Sequence, residues 1–173
     1  MFFEKRYPKW IDPNRIYNLK TQGSSLKGDI AEVIVKYKVN FGHRPREISP
    51  TFLDEKRDFV IPSKVKDYLK KYWYTIDLFA FKIEANEFKD LEIYEVKSRN
   101  MYDPSFKRFL KPPITDNALK AYKEAMQLGF IVKYAEVIFL DCWDYYIFFK
   151  DFNPDDFIVY NGGNIKFSKI KVR

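Results

Sequence analysis

Apolar residues recur at helical spacing over residues 27–39, near the start of the chain. This spacing places them on one side of a helix, although the many β-branched residues here also suit a strand. We predict a helix. Its apolar side consists of Ile30, Val33, Ile34 and Tyr37.

The next regular segment follows a proline-containing stretch at 40–62, which predicts a loop with short elements. Ser63 is a candidate cap for a short helix over 64–72. The buried side of that helix is predicted to consist of Val65, Tyr68, Leu69 and Tyr72.

Two apolar segments at 75–83 and 91–98 predict strands, and the polar residues between them, including Asn86 and Asp90, indicate a hairpin. A helix over 115–128 follows, which Gly129 is expected to end. Its apolar side is Leu119, Tyr122, Ala125 and Met126.

Strands over 131–140 and 144–151 complete an order of helix, two strands, helix and two strands. This order predicts an α/β fold with a central mixed β-sheet flanked by α-helices. Residues 1–25 have no such pattern and are expected to form an irregular N-terminal arm. A chain of 173 residues suits one domain.

Composition adds a basic surface to this fold. The formal net charge is +7, and aromatic residues make up 19% of the chain. Such a surface attracts nucleic acid or an anionic membrane, and surplus aromatic rings can stack on bases. No apolar run approaches the length of a membrane span, and the N-terminus lacks signal-peptide features. We therefore expect a cytoplasmic protein without membrane contact.

The chain has one cysteine and one histidine, which limits the disulfides and metal sites that it can form. Cys142 excludes an intrachain disulfide and a multi-cysteine zinc site. His43 lies in a Gly-His-Arg-Pro segment and is expected to be a loop residue, which disfavours histidine-rich metal sites.

Charged residues interrupt the two apolar hairpin strands. Asp77 lies in the first, and Glu95 and Lys97 alternate with apolar residues in the second. Burying such groups costs free energy unless their charges are compensated, and alternation places Glu95 and Lys97 on one strand face. Two carboxylates with the Val96 carbonyl between them would suit Mg²⁺ or Mn²⁺ and phosphodiester hydrolysis. The alternative is an ordinary ion pair on an exposed hairpin face.

Ile76-Asp77 followed by Glu95-Val96-Lys97 resembles the PD-(D/E)XK motif of restriction-endonuclease-like nucleases, with Ile in place of the usual Pro. Lys27-Gly28-Asp29-Ile30-Ala31-Glu32 and Glu95-Val96-Lys97-Ser98-Arg99 are similar to segments of archaeal Holliday-junction resolvases. The similarity extends over Leu119 to Phe149, including Trp143 at the start of the last strand. The segment 40–74 is an insertion relative to these resolvases, and the 84–90 connection is also longer.

The resemblance implies a Mg²⁺-dependent endodeoxyribonuclease with Asp77, Glu95 and Lys97 as its catalytic residues. It adds Glu32 to the metal site, often through water, and a polar residue of the later helix near Asn117, with Lys120 as a rival. For Glu32 the alternative is a solvated helix carboxylate. Branched DNA, recombination and repair are the implied setting, and symmetric cutting of two strands requires a homodimer.

Basic residues near the predicted site are candidates for DNA contact: Lys27, Arg99, Lys107, Arg108 and Lys111. Tyr102, Phe106 and Phe109 lie between them and offer stacking surfaces. The alternative is a solvated lysine-rich loop. Two further hypotheses remain: a basic nucleic-acid-binding module that keeps the fold without cleaving, and an assembly protein with a coincidental motif.

Overall fold

The computed structural model of the chain describes residues 2–4, 24–40, 42–101, 111–140 and 144–160. Within these ranges the helices are α1 (Ser24–Lys38), α2 (Ser63–Lys71) and α3 (Asp116–Gln127). The strands are β1 (Phe2–Glu4), β2 (Gly42–His43), β3 (Leu78–Glu84), β4 (Glu87–Asn100), β5 (Pro113–Thr115), β6 (Ile131–Phe139), β7 (Tyr145–Asp151) and β8 (Ile158–Tyr160).

Six of the described strands form a mixed sheet in the order β1-β7-β6-β4-β3-β2. Strands β4 and β6 are parallel, and the other neighbours in this sheet are antiparallel. Helix α3 lies between β4 and β6 in the chain, as a crossover between parallel strands requires. Strands β5 and β8 form a separate parallel pair.

Helices cover both faces of the sheet. Helix α1 packs on the face that carries Leu78, Tyr94 and Val96. Helices α2 and α3 share a second core with the face that carries Phe79 and Ile93. The long strand β4 is therefore buried on both sides, and its alternate residues belong to two different cores.

A tight turn joins β3 to β4. Ala85 and Asn86 both have positive φ, at 51° and 60°, as the central residues of a type I′ hairpin turn require. From this turn the ladder runs to Leu78 opposite Tyr94, with one irregularity between Lys82 and Ile83.

Most predicted elements are present. The α/β class with a mixed sheet is confirmed, and 27–39 is a helix rather than a strand. The helix over 64–72, the hairpin and the two closing strands are found within a few residues of their predicted bounds. Gly129, with φ of 81°, follows the end of α3 as expected.

Six details of the expectation were wrong. His43, expected in a loop, is the second residue of β2 and pairs with Phe79 of β3. Ser63 is the first residue of α2 and does not cap it, because Pro62 occupies the cap position. Tyr37 and Met126 have the expected helical spacing but are exposed, and each lies in the last turn of its helix. Phe2–Glu4, predicted as irregular arm, pairs with β7 at the sheet edge. Strand β3 begins at Leu78, because 72–75 form turns, so Asp77 precedes the strand.

Candidate active site

Asp77 lies where the chain enters β3. The ladder places Leu78 opposite Tyr94, so Asp77 falls at the level of Glu95. Its Oδ2 accepts a hydrogen bond of 2.9 Å from the backbone N–H of Val96. The side chain thus binds the β4 backbone just beyond the β3–β4 ladder. The N–H and C=O of one strand residue point to the same side, so the Val96 carbonyl faces this edge as well.

Glu95 and Lys97 extend from β4 on the face covered by α2 and α3. Glu95 is only 3% exposed. Its Oε1 lies 2.8 Å from the Lys97 Nζ, and its Oε2 accepts a hydrogen bond from the hydroxyl of Tyr122 on α3. Both oxygens of this carboxylate therefore have fixed partners, one from its own strand and one from the helix above.

Glu32 lies on α1 and is buried. The alternative of a solvated helix carboxylate is therefore wrong. Arg44, which follows β2, donates to Glu32 Oε2 from Nε at 3.0 Å and from Nη2 at 2.7 Å. Arg44 also bonds Asp29 and Glu47. The guanidinium thus balances an acidic patch on and near α1.

Negative charge accumulates around Asp77. Burial of its carboxyl group raises its pKa well above the usual range, and the charges of Glu95 and Glu32 raise it further. Lys97 and the Val96 N–H oppose this rise. The three carboxylates and Lys97 are therefore close enough to interact electrostatically. Arg44 balances Glu32, so Asp77 and Glu95 with Lys97 leave one more acid than cation, and such a group stabilises an added positive charge.

Beside Glu95 with its lysine and tyrosine partners lies a second buried carboxylate that is held by a cation and a tyrosine hydroxyl. On β6 the buried Glu136 accepts a 2.7 Å hydrogen bond from the Tyr134 hydroxyl and pairs with Arg99 Nε at 3.0 Å. Glu136 is the register partner of Lys97. Arg99, a predicted DNA contact, is thus largely buried and held by a carboxylate.

The other predicted contacts are dispersed. Lys27 lies half-buried on α1, and Asn117 and Lys120 are exposed on α3. Lys111 donates to the backbone oxygen of Asp155 at 2.6 Å. Lys107 and Arg108 lie outside the described residues, as do Tyr102, Phe106, Phe109, Cys142 and Trp143.

The oxygen donors near Asp77 decide which metal ion could bind here. Across the described residues, no three His, Cys, Asp or Glu side chains group as ligands of one metal ion. Asp77 and Glu95, with the Val96 carbonyl, nevertheless offer hard oxygens in a cluster with surplus negative charge. Mg²⁺ is bound through one or two carboxylates together with water and phosphate oxygens, so these donors fit it.

Sequence reasoning missed three residues of this region: Arg44, Tyr122 and Glu136. Tyr122 was assigned to the apolar side of its helix, which is correct for its ring. Its signal was a hydroxyl in a buried position, where a partner is expected. Arg44 resembles an ordinary surface charge in the sequence, and only the fold buries it. Glu136 had the same signal as Glu95, a carboxylate within an apolar strand.

Comparison with known proteins yields no relative. No protein-family model matches the chain, and no curated protein or solved structure matches it either. None of the helices in the described part of the chain has the length and apolar character needed to span a membrane.

Proposed function

We propose that this protein is a metal-dependent nuclease of the restriction-endonuclease-like type that hydrolyses phosphodiester bonds in DNA. The observation that supports it best is the juxtaposition of half-buried Asp77 and buried Glu95 with Lys97 at one end of the β3–β4 ladder. A purely structural ion pair has no need for carboxylates whose charges oppose each other.

In this proposal Asp77, Glu95 and the Val96 carbonyl hold Mg²⁺ or Mn²⁺. The bound cation supplies a water of lowered pKa and neutralises charge on the scissile phosphate. Lys97 leaves Glu95 to orient the attacking water or to stabilise the charge that develops on the phosphate. Glu32 adds negative charge near Asp77 and would belong to the metal site directly or through water.

DNA is the proposed substrate because the chain carries a net charge of +7. Arg99 and Lys97 lie on the same face of β4 and are separated by two residues, about 6.6 Å along a strand. To contact DNA, Arg99 would exchange the Glu136 carboxylate for a phosphate, as Lys97 would exchange Glu95. The resemblance to resolvases adds branched DNA as the substrate and a homodimer as the active form.

The decisive experiment is a cleavage assay on Asp77→Asn and Glu95→Gln. Supercoiled, linear, single-stranded and four-way-junction DNA are incubated with Mg²⁺ or Mn²⁺ under single-turnover conditions. We expect both variants to lose cleavage while their DNA affinity stays equal or rises, because neutral side chains cannot hold the cation and no longer repel phosphate.

Glu92→Gln is the matched control. Glu92 lies on the same strand and accepts a hydrogen bond of 2.5 Å from Tyr94, which belongs to the core on the opposite face. This variant should cut at the wild-type rate. If Asp77→Asn and Glu95→Gln also cut at that rate, the residues form a structural ion-pair cluster. DNA binding without cleavage in the wild type would instead favour the binding-module hypothesis.

A further inference from the structure

Helix α3 places one hydroxyl among the site's carboxylates. Tyr122 is fully buried, and its hydroxyl donates to Glu95 Oε2. Between a phenol and a carboxylate the phenol is the donor. Glu95 is therefore held from two sides, by Lys97 at one oxygen and by Tyr122 at the other.

Packing alone does not account for this tyrosine. Its ring packs against that of Phe152 in a tilted arrangement, with 5.0 Å between ring centroids, and a phenylalanine would make the same contact. A buried hydroxyl costs free energy unless it is bonded. Tyr68 meets that need with a backbone carbonyl, that of Ala121 at 2.8 Å, whereas Tyr122 bonds a side chain of the proposed site.

We propose that Tyr122 is a positioning residue that fixes the Glu95 carboxylate for the divalent cation; this inference rests on the proposed nuclease function. Each carboxylate oxygen can accept more than one bond, so Oε2 can hold the tyrosine and still serve as a ligand. Lys97 must turn away from Glu95 when it acts on water or phosphate. Tyr122 is then the anchor that keeps the carboxylate in place.

Loss of the hydroxyl should therefore weaken metal binding more than DNA binding. Hydrogen-bond partners that orient metal ligands typically account for about 10–100-fold in metal affinity. Tyr122 lies on the buried side of α3, so it is not expected to touch DNA.

The test is the Tyr122→Phe variant of the full chain. Calorimetric titration with Mn²⁺ in the absence of DNA should show affinity reduced roughly 10–100-fold. In single-turnover cleavage the Mg²⁺ concentration for half-maximal rate should rise by the same factor, and the rate at saturating Mg²⁺ should change less. DNA affinity in EDTA should stay within about twofold of wild type.

Tyr134→Phe is the matched control. It removes an equally buried hydroxyl that bonds Glu136 on the adjacent strand, so it should leave Mn²⁺ affinity unchanged. Equal weakening of Mn²⁺ binding in both variants would show general loosening and overturn the inference. Unchanged Mn²⁺ affinity in Tyr122→Phe overturns it too.

The Glu95→Gln background separates the inference from the proposed function. If Glu95→Gln weakens Mn²⁺ binding to a lower but measurable affinity, adding Tyr122→Phe should have no further effect, because the hydroxyl acts through that carboxylate. A further loss overturns the inference alone. If Glu95→Gln binds Mn²⁺ as wild type does, the proposed metal site fails, and the role of Tyr122 fails with it.

Discussion

Removal of the Arg44 side chain should cost much of the protein's stability. In Arg44→Met the apolar stem is kept and the guanidinium is lost, which leaves Glu32 without its two charge-assisted hydrogen bonds at 2.7 and 3.0 Å. The side chains of Arg44 and Glu32 are 9% and 8% exposed, so this pair is desolvated. Breaking such a pair costs about 3–5 kcal/mol.

The other partners of Arg44 add little to this sum. Asp29 and Glu47 are 46% and 37% exposed, and exposed pairs contribute about 0–1 kcal/mol each. For a chain of this length the main loss corresponds to a drop of roughly 6–20 °C in melting temperature. Urea unfolding followed by circular dichroism gives the free energy directly.

A double-mutant cycle completes the test. Glu32→Gln removes the stranded charge, so the double variant should regain about 1–3 kcal/mol relative to Arg44→Met alone. Arg44→Lys, which keeps the charge but loses the two-nitrogen contact, should fall between wild type and Arg44→Met. A loss under about 1 kcal/mol in Arg44→Met would refute the assignment of a buried, desolvated pair.

Further predictions concern the site, DNA and pH. Lys97→Ala should cripple cleavage while calorimetric Mn²⁺ binding survives, since in the proposed mechanism the ammonium acts on water or phosphate; equal loss of both would contradict this role. DNA affinity should fall steeply with salt, and a salt-independent binding constant would argue against phosphate contacts. Burial first, then Lys36 and Arg57, lowers the pKa of His43 to about 4 from 6.5. The unfolded chain thus binds a proton that the native state excludes, so unfolding free energy should fall as pH drops from 6.5 towards 4. His43→Phe should flatten that dependence.

The helices, the strands and their order could be predicted from the sequence, because the spacing of apolar residues indicates which side of each element is buried. The 3.6-residue spacing of Leu119, Tyr122 and Ala125 predicts α3, and all three are buried. Glu95 and Lys97 were expected on one strand face because they are two residues apart. In the structure Lys97 pairs with Glu95, and the charges of both act on Asp77.

Partnerships between distant segments were beyond the sequence. Arg44 meets Glu32 twelve residues away because the chain reverses after α1, and Tyr122 meets Glu95 across 27 residues through the crossover. The spacing of residues within one helix or strand does not indicate which distant residues they contact. The resemblance to resolvases pointed to the exposed Asn117 and Lys120 on α3, whereas the buried face of that helix supplies the hydroxyl.

The irregularity in the β3–β4 ladder separates the hairpin tip from the site. Lys82 pairs with Asp90 and Ile83 with Phe88, so Lys89 is the extra residue, a β-bulge. Beyond it the pairing from Phe81 opposite Leu91 to Leu78 opposite Tyr94 is uninterrupted. Length changes at the tip can be accommodated at the Lys89 bulge. A residue gained or lost between Leu91 and Glu95 would instead turn the Glu95 carboxylate to the other face of the sheet. The tip is therefore the place to graft a label or an affinity tag, at a distance from the chemistry.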